Sequence, residues 1–240
     1  MKHKPLYIIF LIIPFTFSGC LRTYYPVVYE SSAIPMIFDY NDSTKESNKY
    51  YSADVTITKG SYKNESLQLL RGSYTIVDTK DYVNINSRLF GYTGIYRVAG
   101  LEDYDGAKSV FGFGGEFGAN LNFKIHSLKI GLGITGGVAS EFGGYYNFRK
   151  KADSEGRISS EQGLIFFTFS AFPVIAYEFS QSSILSTQVN LGIPGFLSPS
   201  ILLNSNGYVY WLSWVPDFDD RENYLGRKIV VGFMMNVNMF

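Results

Sequence analysis

The sequence predicts an all-β chain, an antiparallel up-and-down transmembrane β-barrel of about ten strands. Three observations carry this expectation. Aromatic residues make up 17% of the chain, with 20 Phe and 19 Tyr beside 24 Gly, a composition that suits pleated sheet better than helix. From Tyr50 onward, side-chain character alternates with period two, the spacing of strands. The intervening connections alternate between short turns and longer, charged loops, as they do in barrels that cross a membrane.

The chain opens with MKHKPLYIIFLIIPFTFSGC. Lys2 and Lys4 give a basic start, residues 6–17 an apolar run, and Ser18-Gly19-Cys20 a small-residue end. The run is too short for a bilayer-spanning helix and has the order of a secretory signal. Phe17-Ser18-Gly19-Cys20 resembles the lipobox of bacterial lipoproteins, with Phe where the family usually has Leu. The resemblance implies cleavage before Cys20 and acylation, of the palmitate type, on its sulfur and new amino group. Cys20 is the only cysteine of the chain; several acyl chains together give stable membrane anchoring. The expected organisation is a signal peptide over 1–19, an acylated N-terminal tether over 20–49 and a β-barrel over 50–240. Pro26, Pro35 and the polar end NDSTKESNK mark the tether, with a short strand or docked segment near Met36 and Tyr40.

Ten strands are expected, at about 50–58, 66–77, 82–98, 109–125, 128–147, 164–179, 184–193, 199–204, 207–215 and 227–240. In the first, Tyr51, Ala53, Val55 and Ile57 oppose Ser52, Asp54, Thr56 and Thr58. In the third, Val83, Ile85 and Leu89 oppose Asn84, Asn86 and Arg88; beyond Phe90 the apolar set moves to Tyr92, Tyr96 and Val98, which predicts a bulge. The fourth and fifth are the clearest. Phe111, Phe113, Phe117, Leu121 and Phe123 share one face, and Gly112, Gly114, Glu116, Gly118 and Lys124 the other. A two-residue loop at His126-Ser127 pairs Ile125 with Leu128, Phe123 with Ile130 and Lys124 with Lys129, so apolar meets apolar throughout. Six glycines of this hairpin lie on the polar side. Glycine weakens a water-facing strand but suits a cramped closed interior, so the bulky face is expected to meet lipid. Aromatics gathered near strand ends (Tyr145, Tyr146, Phe148, Tyr208, Tyr210, Trp211 and Trp214) would form interfacial girdles. Outer-membrane barrels commonly end in Phe, and this chain ends at Phe240, one residue out of step with Ile229, Val231 and Phe233. An even strand count places both termini on the short-turn side.

The chemistry-bearing residues are few. The formal charge is zero over the whole chain, which offers no basic patch for nucleic acid. Arg88, Glu116, Lys124, Lys129, Glu141, Glu178 and Lys228 are expected to face the lumen and pair there, since buried charge requires partners. His126 and His3 are the only histidines, so no zinc site and no metal or other cofactor is expected. GFGGEFG lacks the Lys-Ser/Thr of a phosphate loop and its following helix. The leading expectation is a lipid-anchored outer-membrane barrel of Gram-negative type. Its partners would be membrane lipid through acylated Cys20, the outer-membrane insertion machinery and an extracellular ligand of the long loops, in a binding, adhesion or envelope role. Two alternatives are a soluble β-rich lipoprotein held by acyl chains alone, and a barrel-borne lipid-modifying enzyme with His126 as base.

Overall fold

A computed structural model describes residues 21–37, 46–80, 82–180, 182–215 and 228–237. Two short elements come first, β1 (Arg22–Tyr24) and α1 (Val27–Glu30). Strands β2 (Glu46–Lys59), β3 (Ser66–Lys80), β4 (Val83–Val98), β5 (Gly106–Ile125) and β6 (Leu128–Phe142) follow in a meander. Helix α2 (Gly144–Ser154) and strand β7 (Ile158–Ser160) lie in the next connection. The wall resumes with β8 (Ile165–Ser180), β9 (Ser183–Ile193), β10 (Phe196–Ser205), β11 (Tyr208–Val215) and β12 (Lys228–Asn236). Every neighbour pair of the wall is antiparallel, and β12 pairs with β2 to close a ten-stranded barrel. Each expected strand has its counterpart, including the short one near 199–204, which is β10.

One residue from each wall strand shows which way the sheet faces. Ile57, Leu70, Leu89, Phe117, Leu132, Phe167, Leu191, Ile201, Leu212 and Val231 are all 49% exposed or more. Soluble monomers rarely expose contiguous apolar patches beyond a few hundred Å², whereas here the whole circumference is apolar. Hydrocarbon is the solvent that suits it, and closure leaves no strand edge unpaired within that solvent. The fold is therefore a transmembrane barrel. Strands β4, β5 and β8, at 16, 20 and 16 residues, exceed the roughly 9–11 residues that cross a bilayer and carry the wall beyond it.

The β5–β6 hairpin has the expected register, with Ile125 opposite Leu128, Phe123 opposite Ile130 and Lys124 opposite Lys129. His126 takes the positive φ of 58° that the tight turn needs. Aromatic side chains on neighbouring strands explain several of the inward glycines. Tyr92 lies directly opposite Gly112, Phe90 opposite Gly114, Phe172 opposite Gly133 and Trp211 opposite Gly232. At all four positions an added Cβ would collide with the opposing ring. Each ring lies across its glycine along the wall, which keeps four large side chains out of the middle of the lumen.

The bulge expected beyond Phe90 is absent. Register runs unbroken along both sides of β4. Phe90, Tyr92 and Tyr96 are buried on the inner face with Asn86 and Arg88. The change in residue character marks a change in what the lumen contains; the strand's phase is constant. An irregularity does occur in the β8–β9 pair, at Glu178 and Ser180.

What fills the lumen is the N-terminal segment. Residues 26–28 and 30–37 are buried, and Val27, Val28, Ile34 and Ile37 belong to the same apolar core as Tyr50, Phe90, Tyr92 and Trp211. The tether expected over 20–49 is thus an inner strap over its described part up to Ile37. Asp39 and Tyr40 of the anticipated docked segment lie outside the described residues, as do Cys20 and Phe240.

Candidate functional site

The strap can be followed by its contacts from the end of the barrel with the long loops to the end with the short turns. At the loop end, β1 pairs in parallel with β7, Arg22 opposite Ile158 and Tyr24 opposite Ser160. Arg22 donates to the Ala99 carbonyl at 2.6 Å, and the Tyr62 hydroxyl accepts from the Thr23 amide at 2.5 Å. Still near the loop end, the Val27 amide donates to Glu141 Oε2 at 2.5 Å, and Lys228 pairs with Glu30. Arg71 Nη1 then donates to the Ser32 carbonyl at 3.1 Å. Arg88 holds the Ile34 and Pro35 carbonyls, each at 3.2 Å. Met36 reaches Gly118 and packs with Phe172 and Val174. Residues 46–59 then begin β2 at the turn end, where Glu46 is opposite Thr79.

The grips on the strap are mostly to its backbone. A chain that has left regular structure inside a closed space must have its polar groups satisfied one at a time, and two arginines supply several donors each. Both arginines are themselves paired. Arg71 Nε stands 2.9 Å from Asp54, and Arg88 Nη1 3.0 Å from Glu116 with its Nε on Thr75. Facing the lumen elsewhere, Asn86 and Gln188 have neither side-chain atom paired with protein among the described residues, and groups of this kind take water as partner.

The loop end is sealed by an aromatic cluster around one carboxylate. Glu65, in the β2–β3 connection, accepts from Tyr24 Oη at 2.5 Å, Tyr96 Oη at 2.7 Å and the Ala99 amide at 3.3 Å. Burial raises its pKa above the ordinary carboxylate value, opposed by these hydrogen bonds and by nearby Arg22. Burial likewise raises the Tyr24 hydroxyl, helped by Glu65. Tyr145 stacks on Tyr96 with centroids 4.4 Å apart, and Phe148 meets Tyr24 edge-on at 5.2 Å. Tyr104 closes the outer rim, its hydroxyl 2.5 Å from Glu155 and its pKa pushed up to about 12 chiefly by that bond.

Helix α2 delivers two of these rings, and it replaces the end of the strand expected over 128–147. Gly143, at φ 104°, turns the chain out of β6. Tyr145, Phe148, Arg149 and Ala152 then form a buried stripe with i, i+3, i+4 and i+7 spacing. Of the anticipated girdle, Tyr145 and Phe148 are therefore part of the seal, and Trp211 faces inward. Tyr210 and Trp214 remain on the exterior. Arg149 reaches down to Glu141 at 2.7 Å, with side chains 1% and 0% exposed, and also donates to the Glu161 carbonyl.

The other expected charges fall at the opposite end. Lys129 and Lys124 lie 3.2 and 3.5 Å from Glu178, forming a rim trio in which Lys124 is partly exposed. His126 sits in the adjoining turn, exposed. Among the described residues no cluster of His, Cys, Asp or Glu is suited to hold a metal ion. Asp54, Arg71, Glu65 and Arg149 complete the charged network, and sequence reading did not single them out. Asp54 and Arg71 were readable as inward members of alternating strands; Glu65 carried no such signal, because it lies in a loop.

No protein-family model matches the chain, and none of the curated proteins does. Among solved structures, it is similar to Neisserial surface protein A at 9% identity and a TM-score of 0.34, covering 79% of this chain and 96% of that one. An outer membrane channel from Pseudomonas putida F1 aligns at 7% identity and a TM-score of 0.43, covering 83% and 100% of the two chains. The translocator domain of the autotransporter NalP from Neisseria meningitidis aligns at 11% and 0.33, covering 81% and 89%.

Proposed function

We propose that this is a lipid-anchored outer-membrane barrel, held closed by its own N-terminal strap, that presents its long-loop end as a binding or adhesion surface. The observation that carries the reading is the pairing of an apolar circumference with a lumen occupied by the chain itself. Such a body is built to sit in a membrane and offer one end to the outside. A filled lumen favours display over wide-channel transport, and the most elaborate structure, α2 with β1 and β7, is gathered at the loop end. The lipobox resemblance supplies the anchor, with Cys20 next to Leu21, which is 50% exposed. Insertion would use the outer-membrane insertion machinery, and the ligand of the loop end is an extracellular one.

The test is Cys20→Ala with fractionation and unheated gel migration. The expected result is loss of labelled palmitate incorporation, with the protein still in the outer-membrane fraction and still heat-modifiable. Release of the variant into the aqueous fraction would leave a soluble body held by acyl chains alone and sink the barrel reading. Unchanged palmitate labelling would remove the anchor.

A further inference from the structure

We infer that the N-terminal strap enters the barrel from the external side of the membrane, so that Leu21 and Tyr25 at its entrance are displayed beside the long loops. The inference rests on the membrane-spanning reading above and is independent of lipidation. It overturns the expectation, drawn from the even strand count, that both termini share the short-turn side. That argument holds for the first wall strand, since β2 does start at the turn end. It fails for what precedes it.

The direction of the strap is fixed at three depths. At the loop end, β1 is hydrogen-bonded to β7, and Tyr24 is locked onto Glu65. In the middle, Arg71 holds Ser32 and Arg88 holds Ile34 and Pro35. Towards the turn end, Met36 packs on Phe172 and Val174. Helix α1 keeps Val27–Glu30 near the loop end, and the seven residues from Ser31 to Ile37 reach at most about 23–25 Å when extended, comparable to an apolar band roughly 25 Å tall. The described strap therefore runs once along the lumen, from loops towards turns. Outer-membrane barrels keep short turns on the periplasmic side and long loops outside. At the mouth, Leu21 and Tyr25 are about half exposed, and an apolar and an amphipathic side chain there suit the lipid interface.

The test uses the full-length protein in intact cells and a membrane-impermeant maleimide. Three single-cysteine additions are compared with the parent chain as baseline: Tyr25→Cys at the strap entrance, Glu102→Cys in a long loop and Ser127→Cys in a short turn. Heat-modifiable migration confirms that each variant is folded. The expected result is labelling of Tyr25→Cys and Glu102→Cys in intact cells, with Ser127→Cys labelled only after permeabilisation. Labelling of Glu102→Cys alone, with Tyr25→Cys requiring permeabilisation, overturns the inference while keeping the barrel. Protection of all three in intact cells overturns the membrane-spanning reading on which it rests.

Discussion

The two ends of this barrel are built by different means. The turn end relies on short connections, such as His126-Ser127, and an ion trio at the rim, Lys124, Lys129 and Glu178. The loop end is a small core of its own, with Tyr24, Tyr96, Tyr145 and Phe148 packed around buried Glu65 and the Glu141–Arg149 pair beneath. Two-residue turns satisfy their own backbone and need no further support. Long connections cannot do so, and here the strap supplies the missing partners. The part of the chain that fills the lumen also organises the long loops, so the stability of the barrel and the shape of its loop end are coupled.

The coupling is broken most severely at the Glu141–Arg149 pair. Arg149→Met leaves Glu141 buried with the Val27 amide as its one remaining partner among the described residues. Removing one member of a buried pair costs about 3–5 kcal/mol, read as a shift in urea unfolding of the refolded protein in lipid vesicles. The matched change at the other end, Lys124→Gln, removes the exposed member of the rim trio and costs about 0–1 kcal/mol. Equal effects at the two ends would contradict the asymmetry.

The comparison also requires hydrocarbon between the two ends. Phe117 lies midway along β5, and Ile125 at its turn end; both are exposed. Lysine on the lipid face costs about 2–4 kcal/mol at the midplane and about 0–1 near the interface. Phe117→Lys should thus destabilise strongly and Ile125→Lys barely, in the same vesicle titration. A barrel standing in water would tolerate both.

The glycine positions should respond unequally in the two halves. At Gly133, towards the turns, an added side chain meets the Phe172 ring and the Asn120 side chain, whereas at Gly112, towards the loops, it meets the Ser140 carbonyl as well as the Tyr92 ring. Leucine at Gly133 must displace a ring, an overpacking worth about 1–3 kcal/mol, and at Gly112 it must shift backbone too and costs more. Phe172→Ala should relieve Gly133→Leu and leave Gly112→Leu unrelieved; additive losses in the first pair would mean that ring and glycine are not coupled.

These regions differ in how readily the sequence reveals them. Lipid demands an apolar residue at nearly every outward position, so alternation, strand number and the β5–β6 register can be read directly from residues such as Phe111, Phe113 and Phe117. The lumen makes no such periodic demand. Val27, Val28, Ile34 and Met36 are buried in a segment held through its carbonyls, and a chain gripped by its backbone leaves no pattern in its side chains. With Pro26 and Pro35 it reads as a linker. Tyr92 and Tyr96 mislead for the same reason: they face inward because a strap is there to cover them. Helix α2 did carry a readable signal, the stripe Tyr145, Phe148, Arg149 and Ala152, overshadowed by the aromatic run that continues from β6. Of the charged residues, Arg88 and Glu116 were accessible by parity and turn out to hold each other and the strap. Glu65 was not, because only three-dimensional convergence of β1, β4 and the 99–105 loop buries it.

The mildest perturbation distinguishes the ends by pH. Burial holds the Glu65 pKa above its ordinary value near 4.5. A group whose folded pKa is raised contributes stability that is complete below the unfolded value and is lost as pH rises through the folded one. Tyr24, which donates to Glu65, keeps its proton through this range because burial raises its own hydroxyl. The loop end should therefore tighten on acidification from pH 8 to pH 5, seen as slower maleimide labelling of Tyr25→Cys after correction for the reagent's own pH dependence. Glu65→Gln should flatten that change, because the amide stays neutral at both pH values, while labelling of Ser127→Cys at the turn end should not respond to the substitution. A pH response that survives in Glu65→Gln would assign it to another group and remove the carboxylate from the account of the seal.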